Sequence, residues 1–174
     1  MTCENCGAPM LLDRDRNLMV CRYCRSEAIP PIDEEGVQIV GETSKPCPGC
    51  GSNLSDGLME AQPLLYCTQC HGILLSMEKF MPLVEHLRAL RDRPAAFVPS
   101  PDRSGGPRDL HCPLCDGQMD GHPYGGPGNV NIETCEKCSV VWLDRGELRR
   151  IVVAPDPQPV YSSSLYSNHE RISD

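Results

Sequence analysis

Six C-x2-C pairs, Cys3/Cys6, Cys21/Cys24, Cys47/Cys50, Cys67/Cys70, Cys112/Cys115 and Cys135/Cys138, use every one of the twelve cysteines in this 174-residue chain. A C-x2-C turn brings two sulfurs to face one point, and two such turns complete a tetrahedron around a metal. Taken consecutively, the pairs form three C-x2-C…C-x2-C units with 14, 16 and 19 intervening residues, at or near the spacing of four-cysteine zinc sites. Four thiolates suit zinc, or iron of the rubredoxin kind, and exclude hard ions such as magnesium. A thioredoxin-like dithiol would sit at the start of a helix in a strand-helix-strand setting, and none of these pairs has that setting. The repetition therefore points to three Zn2+ ions held by all twelve cysteines.

The remaining composition explains why such a chain needs metal. Its 40% hydrophobic fraction counts the cysteines, aromatic residues supply only 5%, and 15 glycines with 17 prolines interrupt regular elements. A long doubly wound sheet or a TIM barrel is excluded. Structural zinc supplies ~10–16 kcal/mol of apparent binding free energy per site in small peptides, more than a miniature core provides. The expected fold is small, metal-stabilised and mostly β: three tandem zinc ribbons built from β-hairpin knuckles, with short helices after the second and third.

The expected organisation is ribbon 1 at residues 1–30, a connection at 31–46, ribbon 2 with a C-terminal helix at 47–93, a Pro/Gly-rich linker at 94–111, ribbon 3 with a C-terminal helix at 112–153, and a disordered tail at 154–174. Such a linker leaves ribbon 3 free to move independently of the first two. Within the connection, Val37 to Val40 reads as a short strand. Phe80, Leu83, Val84, Leu87 and Leu90 recur at helical spacing between Ser76 and Arg93, with Pro82 expected to kink or restart that helix. Val140 to Leu143 reads as a strand. Asp144 followed by Glu147 reads as a helix cap with its reciprocal partner, opening a helix from Arg145 to Val152. The residue after each knuckle's second cysteine favours a left-handed backbone. Gly7 and Gly51 suit it and Asp116 tolerates it, whereas Arg25, His71 and Ser139 fit less well, so those turns are expected to differ.

Closed four-sulfur sites argue against catalysis, because a hydrolytic zinc keeps a water in its fourth position. The five histidines form no second ligand set, and no nucleophile elbow, H-E-x-x-H or phosphate-loop pattern occurs. No enzyme activity and no small-molecule substrate are expected. The start of the chain shows no basic stretch leading into an apolar run, and no apolar run is long enough for a membrane span. A cytoplasmic, soluble protein with no membrane partner is the expectation.

Around the third unit the residues become more specific. Cys112-Pro113-Leu114-Cys115, followed by Cys135-Glu136-Lys137-Cys138-Ser139-Val140-Val141-Trp142-Leu143-Asp144-Arg145-Gly146-Glu147-Leu148, resembles the bacterial zinc-ribbon family named for transcription factor IIB. That family's hallmark is a C-P-x-C knuckle and a second knuckle leading into G-G-x-W-L-D-x-G-E-L. The chain departs from it at Ser139-Val140, where the family has its glycine pair. Ribbon 2, with Cys47-Pro48-Gly49-Cys50 and Leu74-Leu75-Ser76 in the strand-to-cap position, looks like a divergent copy without the tryptophan; ribbon 1 looks generic. The resemblance implies a ribbon fold and bound zinc.

Trp142, the single tryptophan, reads as a packing residue over a zinc site. Arg145, Arg149 and Arg150 near Lys137 form one basic cluster, and Arg88 and Arg91 near Arg93 form another. These are the candidate partner contacts, against the plainer reading of solvated faces that complement a helix C-terminus. Net charge is −8, and three filled sites take it to about −14, since each divalent ion brings four thiolates. That balance disfavours sequence-independent nucleic-acid binding. The functional expectation is a non-catalytic interaction module or adaptor for a protein partner, associated with transcription. The alternatives are a nucleic-acid-binding ribbon protein and a thiol-redox or metal-handling, rubredoxin-like protein.

Overall fold

The computed structural model describes residues 2–13, 15–16, 18–95 and 108–156. Most of the expected linker and nearly all of the expected tail lie outside the described residues. The described residues are mostly β, as expected, with two helices. Ribbon 1 is a three-stranded antiparallel sheet of β1 (Met10–Asp13), β2 (Leu18–Cys21) and β3 (Glu27–Ala28). Its buried hydrophobic cluster is Cys3, Met10, Met19 and Cys21.

The other two ribbons are joined. A single seven-stranded antiparallel sheet runs in the order β4 (Gln38–Pro46), β5 (Asn53–Met59), β6 (Gln62–Tyr66), β7 (Ile73–Ser76), β10 (Val140–Leu143), β9 (Asn131–Cys135), β8 (Asp120–Pro123). The seam is the β7–β10 pairing, Val140 to Ser76, Val141 to Leu75, Trp142 to Leu74 and Leu143 to Ile73. This corrects the expectation that ribbon 3 moves independently of ribbon 2. The two strands are short apolar runs whose side chains are buried on both sheet faces, so neither is stable as an edge, and pairing removes both edges at once. Part of the 31–46 connection also belongs to the sheet, because β4 covers its outer side with nine residues rather than a four-residue strand.

Leu74 and Trp142 hold equivalent places, each the fourth residue after the last cysteine of its ribbon, and they pair with one another. The sheet is therefore built about a pseudo-twofold axis through that pair. The same axis relates β6 to β9, β5 to β8, and α1 (Met77–Leu90) to α2 (Glu147–Val153). Both helices lie on one face, where Phe80, Leu83, Val84, Leu148 and Ile151 pack on Val37, Leu64, Tyr66, Ile73, Leu75, Ile132, Val141 and Leu143. The opposite face carries Leu54, Leu74, Val140 and Trp142 among the cysteines of both ribbons. Strand alternation thus sorts each run into a helix side and a metal side. Pro82 lies inside α1 without ending it.

No described helix is long and apolar enough to cross a membrane.

Candidate metal centres

All twelve cysteines are free thiols gathered into the three groups that the spacing predicts. Within each group the sulfurs lie within 4.8 Å of one another. Opposed sulfurs stand 3.5 Å apart in Cys3/Cys24, Cys6/Cys21, Cys47/Cys70 and Cys50/Cys67, and 3.7 Å apart in Cys115/Cys135. A zinc tetrahedron with Zn–S bonds near 2.3 Å has edges of about 3.8 Å, so the separations fit a metal. They are far too long for a disulfide bond. Three zinc ions are accommodated with no coordination position left open. Among the described residues no histidine enters a group.

The knuckles share one turn. The amide after the second cysteine returns to the carbonyl of the first in five of them: Gly7 to Cys3, Arg25 to Cys21, Gly51 to Cys47, His71 to Cys67 and Asp116 to Cys112, at 2.8–2.9 Å. Arg25 and His71 therefore do not distort their turns as expected; they adopt φ of 60° and 61°, the left-handed backbone of the knuckle's closing turn. Ser139 is also left-handed at 51°, but its amide bonds the Glu136 carbonyl at 3.2 Å, so this knuckle alone among the six closes differently.

Hydrogen bonds bring some sulfurs toward the anionic form that metal binding requires, while burial pushes Cys70 up to about 11 and the neighbouring Cys115 thiol pushes Cys138 up to about 12. The Ser26 hydroxyl, 3.1 Å from Cys24 Sγ, leads the interactions that bring that thiol down to about 5. At Cys67 burial opposes ionisation, but the Ser52 hydroxyl at 3.2 Å and the amides of Cys70 and Gln69 outweigh it and bring the thiol to about 6. Cys115 is lowered to about 7, chiefly by the Gly117 amide.

Trp142 is fully buried and lies on the metal face. Its indole covers the site of ribbon 2: a Cβ built on Gly72 would stand 2.1 Å from Cζ2, and one on Gly49 would stand 3.4 Å from it. Gly72 is thus fixed by close approach. Its counterpart across the pseudo-twofold is Val140, diagonal to Leu74. The large residue faces the glycine and the small one faces the valine, which gives a physical reason why residue 140 carries a side chain where residue 72 cannot. Residues 111–154 match the transcription factor zinc-finger family. The zinc-finger segment so defined contains β8, β9, β10, α2 and the third four-cysteine group. No curated protein and no solved structure matches the chain.

Beside the zinc-finger segment's tryptophan lies a group of carboxylates that sequence reasoning resolved only in part. The indole N–H donates to Asp144 Oδ1 at 3.0 Å, and Arg108 bridges Asp144 to Glu133. Asp144 does not cap α2 with its side chain; the other half of the expected box forms, with the Asp144 amide donating to Glu147 Oε2 at 2.8 Å. Burial, followed by the charge of Asp144 and Glu133 against the relief from Arg108 and the Asp144 amide, raises the Glu147 carboxyl to about 7, and burial also raises Glu133. A carboxyl raised in the folded state favours folding in its acid form. Its contribution is complete below about 4.5, the ordinary value, and is lost as pH rises through about 7. Glu147→Gln keeps an acceptor for the Asp144 amide, so its melting temperature should exceed the wild type's at pH 8 and approach it at pH 4.5. Equal differences at both values would show that Glu147 carries no such load.

The candidate partner arginines are mostly occupied by the chain itself. Arg88 donates to the Ile151 carbonyl at 2.6 Å, Arg91 donates to those of Val152 and Ala154 at 2.6 and 2.7 Å, and both hold Asp156 at 2.7 Å. They complement a helix C-terminus, but that of α2 rather than their own. Arg145 pairs with Glu34 at 2.6 Å and Arg150 reaches the Asn129 carbonyl; Arg149 is exposed. A second network was not visible in sequence. The Tyr66 hydroxyl donates to Asp33, His71 Nδ1 lies 2.6 Å from that hydroxyl, and Asp33 Oδ1 accepts the amides of Glu35 and Val37. These contacts fasten the acidic turn of the connection to ribbon 2.

Proposed function

We propose that this chain is a non-catalytic adaptor that docks a protein partner in the transcription apparatus, with ribbon 1 as its docking element. The observation supporting this is a contrast in surface. Ribbon 1 and its exit leave Leu11, Tyr23, Ile29 and Ile32 exposed, Tyr23 at 84% and Ile29 at 72%, whereas the much larger pair of ribbons 2 and 3 exposes Met77, Met81, Leu90 and Leu114 to no more than 59%. Apolar side chains grouped on so small a ribbon suit a protein surface. The net charge of −8 and the internal use of Arg88, Arg91 and Arg145 work against a polyphosphate partner. Affinity purification from the native cell at physiological salt should recover a stoichiometric protein partner that Ile29→Ser/Ile32→Ser no longer holds. Recovery of no protein, together with substrate turnover by the pure chain, would refute the reading.

Nucleic-acid binding is the second reading, and ribbon 1 supplies its specific support. Arg22, Tyr23 and Arg25 project from the second knuckle, all exposed and with no polar partner to their side chains among the described residues. An aromatic face for a base beside two guanidinium groups for phosphates is the chemistry of single-strand contact. Binding to single-stranded RNA or DNA that weakens steeply with salt and is lost in Tyr23→Ala would favour it. No binding at low salt would dismiss it.

A further inference from the structure

We infer that ribbons 2 and 3 bind their two metal ions as a coupled pair, with Trp142 of ribbon 3 acting as the cover of ribbon 2's site. Trp142 follows the Cys135/Cys138 knuckle and sits on β10, so its chain position belongs to ribbon 3. Its indole nevertheless reaches across the β7–β10 seam to Gly72, two residues beyond Cys70, and to Gly49, inside the Cys47/Cys50 knuckle. The point at Gly49 that lies 3.4 Å from the indole lies 3.6 Å from Cys70 Sγ and 3.8 Å from Cys47 Sγ, so ring and ligand sulfurs flank one glycine. The ring is oriented from its own side, by the bond to Asp144 that Arg108 in turn holds.

Two consequences follow from this placement. An apolar ring packed over the glycine that adjoins the ligand sulfurs limits the access of water and competing chelators to ribbon 2's ion, a role outer contacts commonly play at metal sites. The ring stays in place only while β10 is paired, and β10 is anchored by the cysteines of ribbon 3. Emptying that site withdraws the cover and exposes the edge of β7. Coupling of this kind is reciprocal: filling ribbon 2's site arranges Gly72 and β7, which seat Trp142. Ribbon 1 shares none of it, because its buried cluster is separate and none of its strands joins the larger sheet.

The test uses the full chain loaded with cadmium-113, whose three resonances are assigned by removing one cysteine pair at a time. Trp142→Leu retains all twelve cysteines. It should shift ribbon 2's resonance and speed release of that ion to EDTA at least tenfold, with ribbon 1's ion unchanged. Trp142→Phe, read in the same way, covers the case in which leucine unfolds both ribbons. Independently, Cys112→Ser/Cys115→Ser should weaken zinc binding at ribbon 2 at least tenfold without affecting ribbon 1. Perturbation of ribbon 3's resonance alone by the tryptophan variants, or wild-type affinity at ribbon 2 in the Cys112/Cys115 variant, would overturn the coupling.

Discussion

Replacing Cys3 and Cys6 with serine is expected to unfold residues 2–28, to lower the zinc content from three ions to two, and to leave the melting of the remaining chain unchanged. Half of ribbon 1's fully buried cluster is cysteine, leaving only Met10 and Met19 as buried hydrocarbon side chains. Two such side chains contribute about 3–6 kcal/mol together, which ordering some two dozen residues far exceeds. The apparent binding free energy of ~10–16 kcal/mol at a structural four-cysteine zinc site is already net of chain ordering, so the ion is what makes this ribbon fold. The rest of the chain has fifteen buried core residues of its own on the helix side of the sheet, and none of them comes from ribbon 1. Native mass spectrometry of the variant gives the ion count, and amide hydrogen exchange gives the extent of unfolding. Loss of a second ion, or retained protection across residues 2–28, would contradict the expectation.

Gly72→Val should separate or strain the ribbon 2–ribbon 3 seam, and it should cost far less in a Trp142→Leu background than in the wild type. The glycine's missing Cβ would lie 2.1 Å from one indole carbon and 2.4 Å from another, and the fully buried ring has no free space into which to move. Overpacking of this kind costs about 1–3 kcal/mol and sometimes more. Truncating Trp142 alone removes most of a buried indole and costs about 3–5 kcal/mol on the scale of large-to-small core changes. Combined, the two substitutions recreate at this position the valine and leucine that already pack at Val140 and Leu74. A double-mutant cycle on melting free energy should therefore show a favourable coupling of about 1–3 kcal/mol. Additive losses would mean that Gly72 and Trp142 do not share one packing site.

The sequence carried much of the local structure. Val140–Leu143 is the strand its apolar run predicts, Asp144 and Glu147 sit together at the head of α2, and the cysteine spacing locates three closed sites. What it did not carry is long-range pairing. The apolar strands Ile73–Ser76 and Val140–Leu143 each announce burial, but nothing in a linear pattern says that they bury each other across a Pro/Gly-rich segment. For the same reason Trp142 could be read as a cover for a zinc site, but not as the cover of the neighbouring ribbon's site. Arg88 and Arg91 looked free because the carbonyls they satisfy lie more than sixty residues further along the chain. The left-handed turns at Arg25 and His71 show the opposite case, in which the closing turn of a C-x2-C knuckle overrides a residue's own backbone preference.

Elemental analysis of the purified full chain, combined with thiol titration under native and denaturing conditions, tests the central account most directly. Three zinc ions per chain, no thiol reactive in the native state and all twelve reactive once chelator and denaturant are added is the predicted result. Fewer than three ions, disulfides in place of thiols, or iron with its charge-transfer colour would contradict a protein folded around three closed zinc sites.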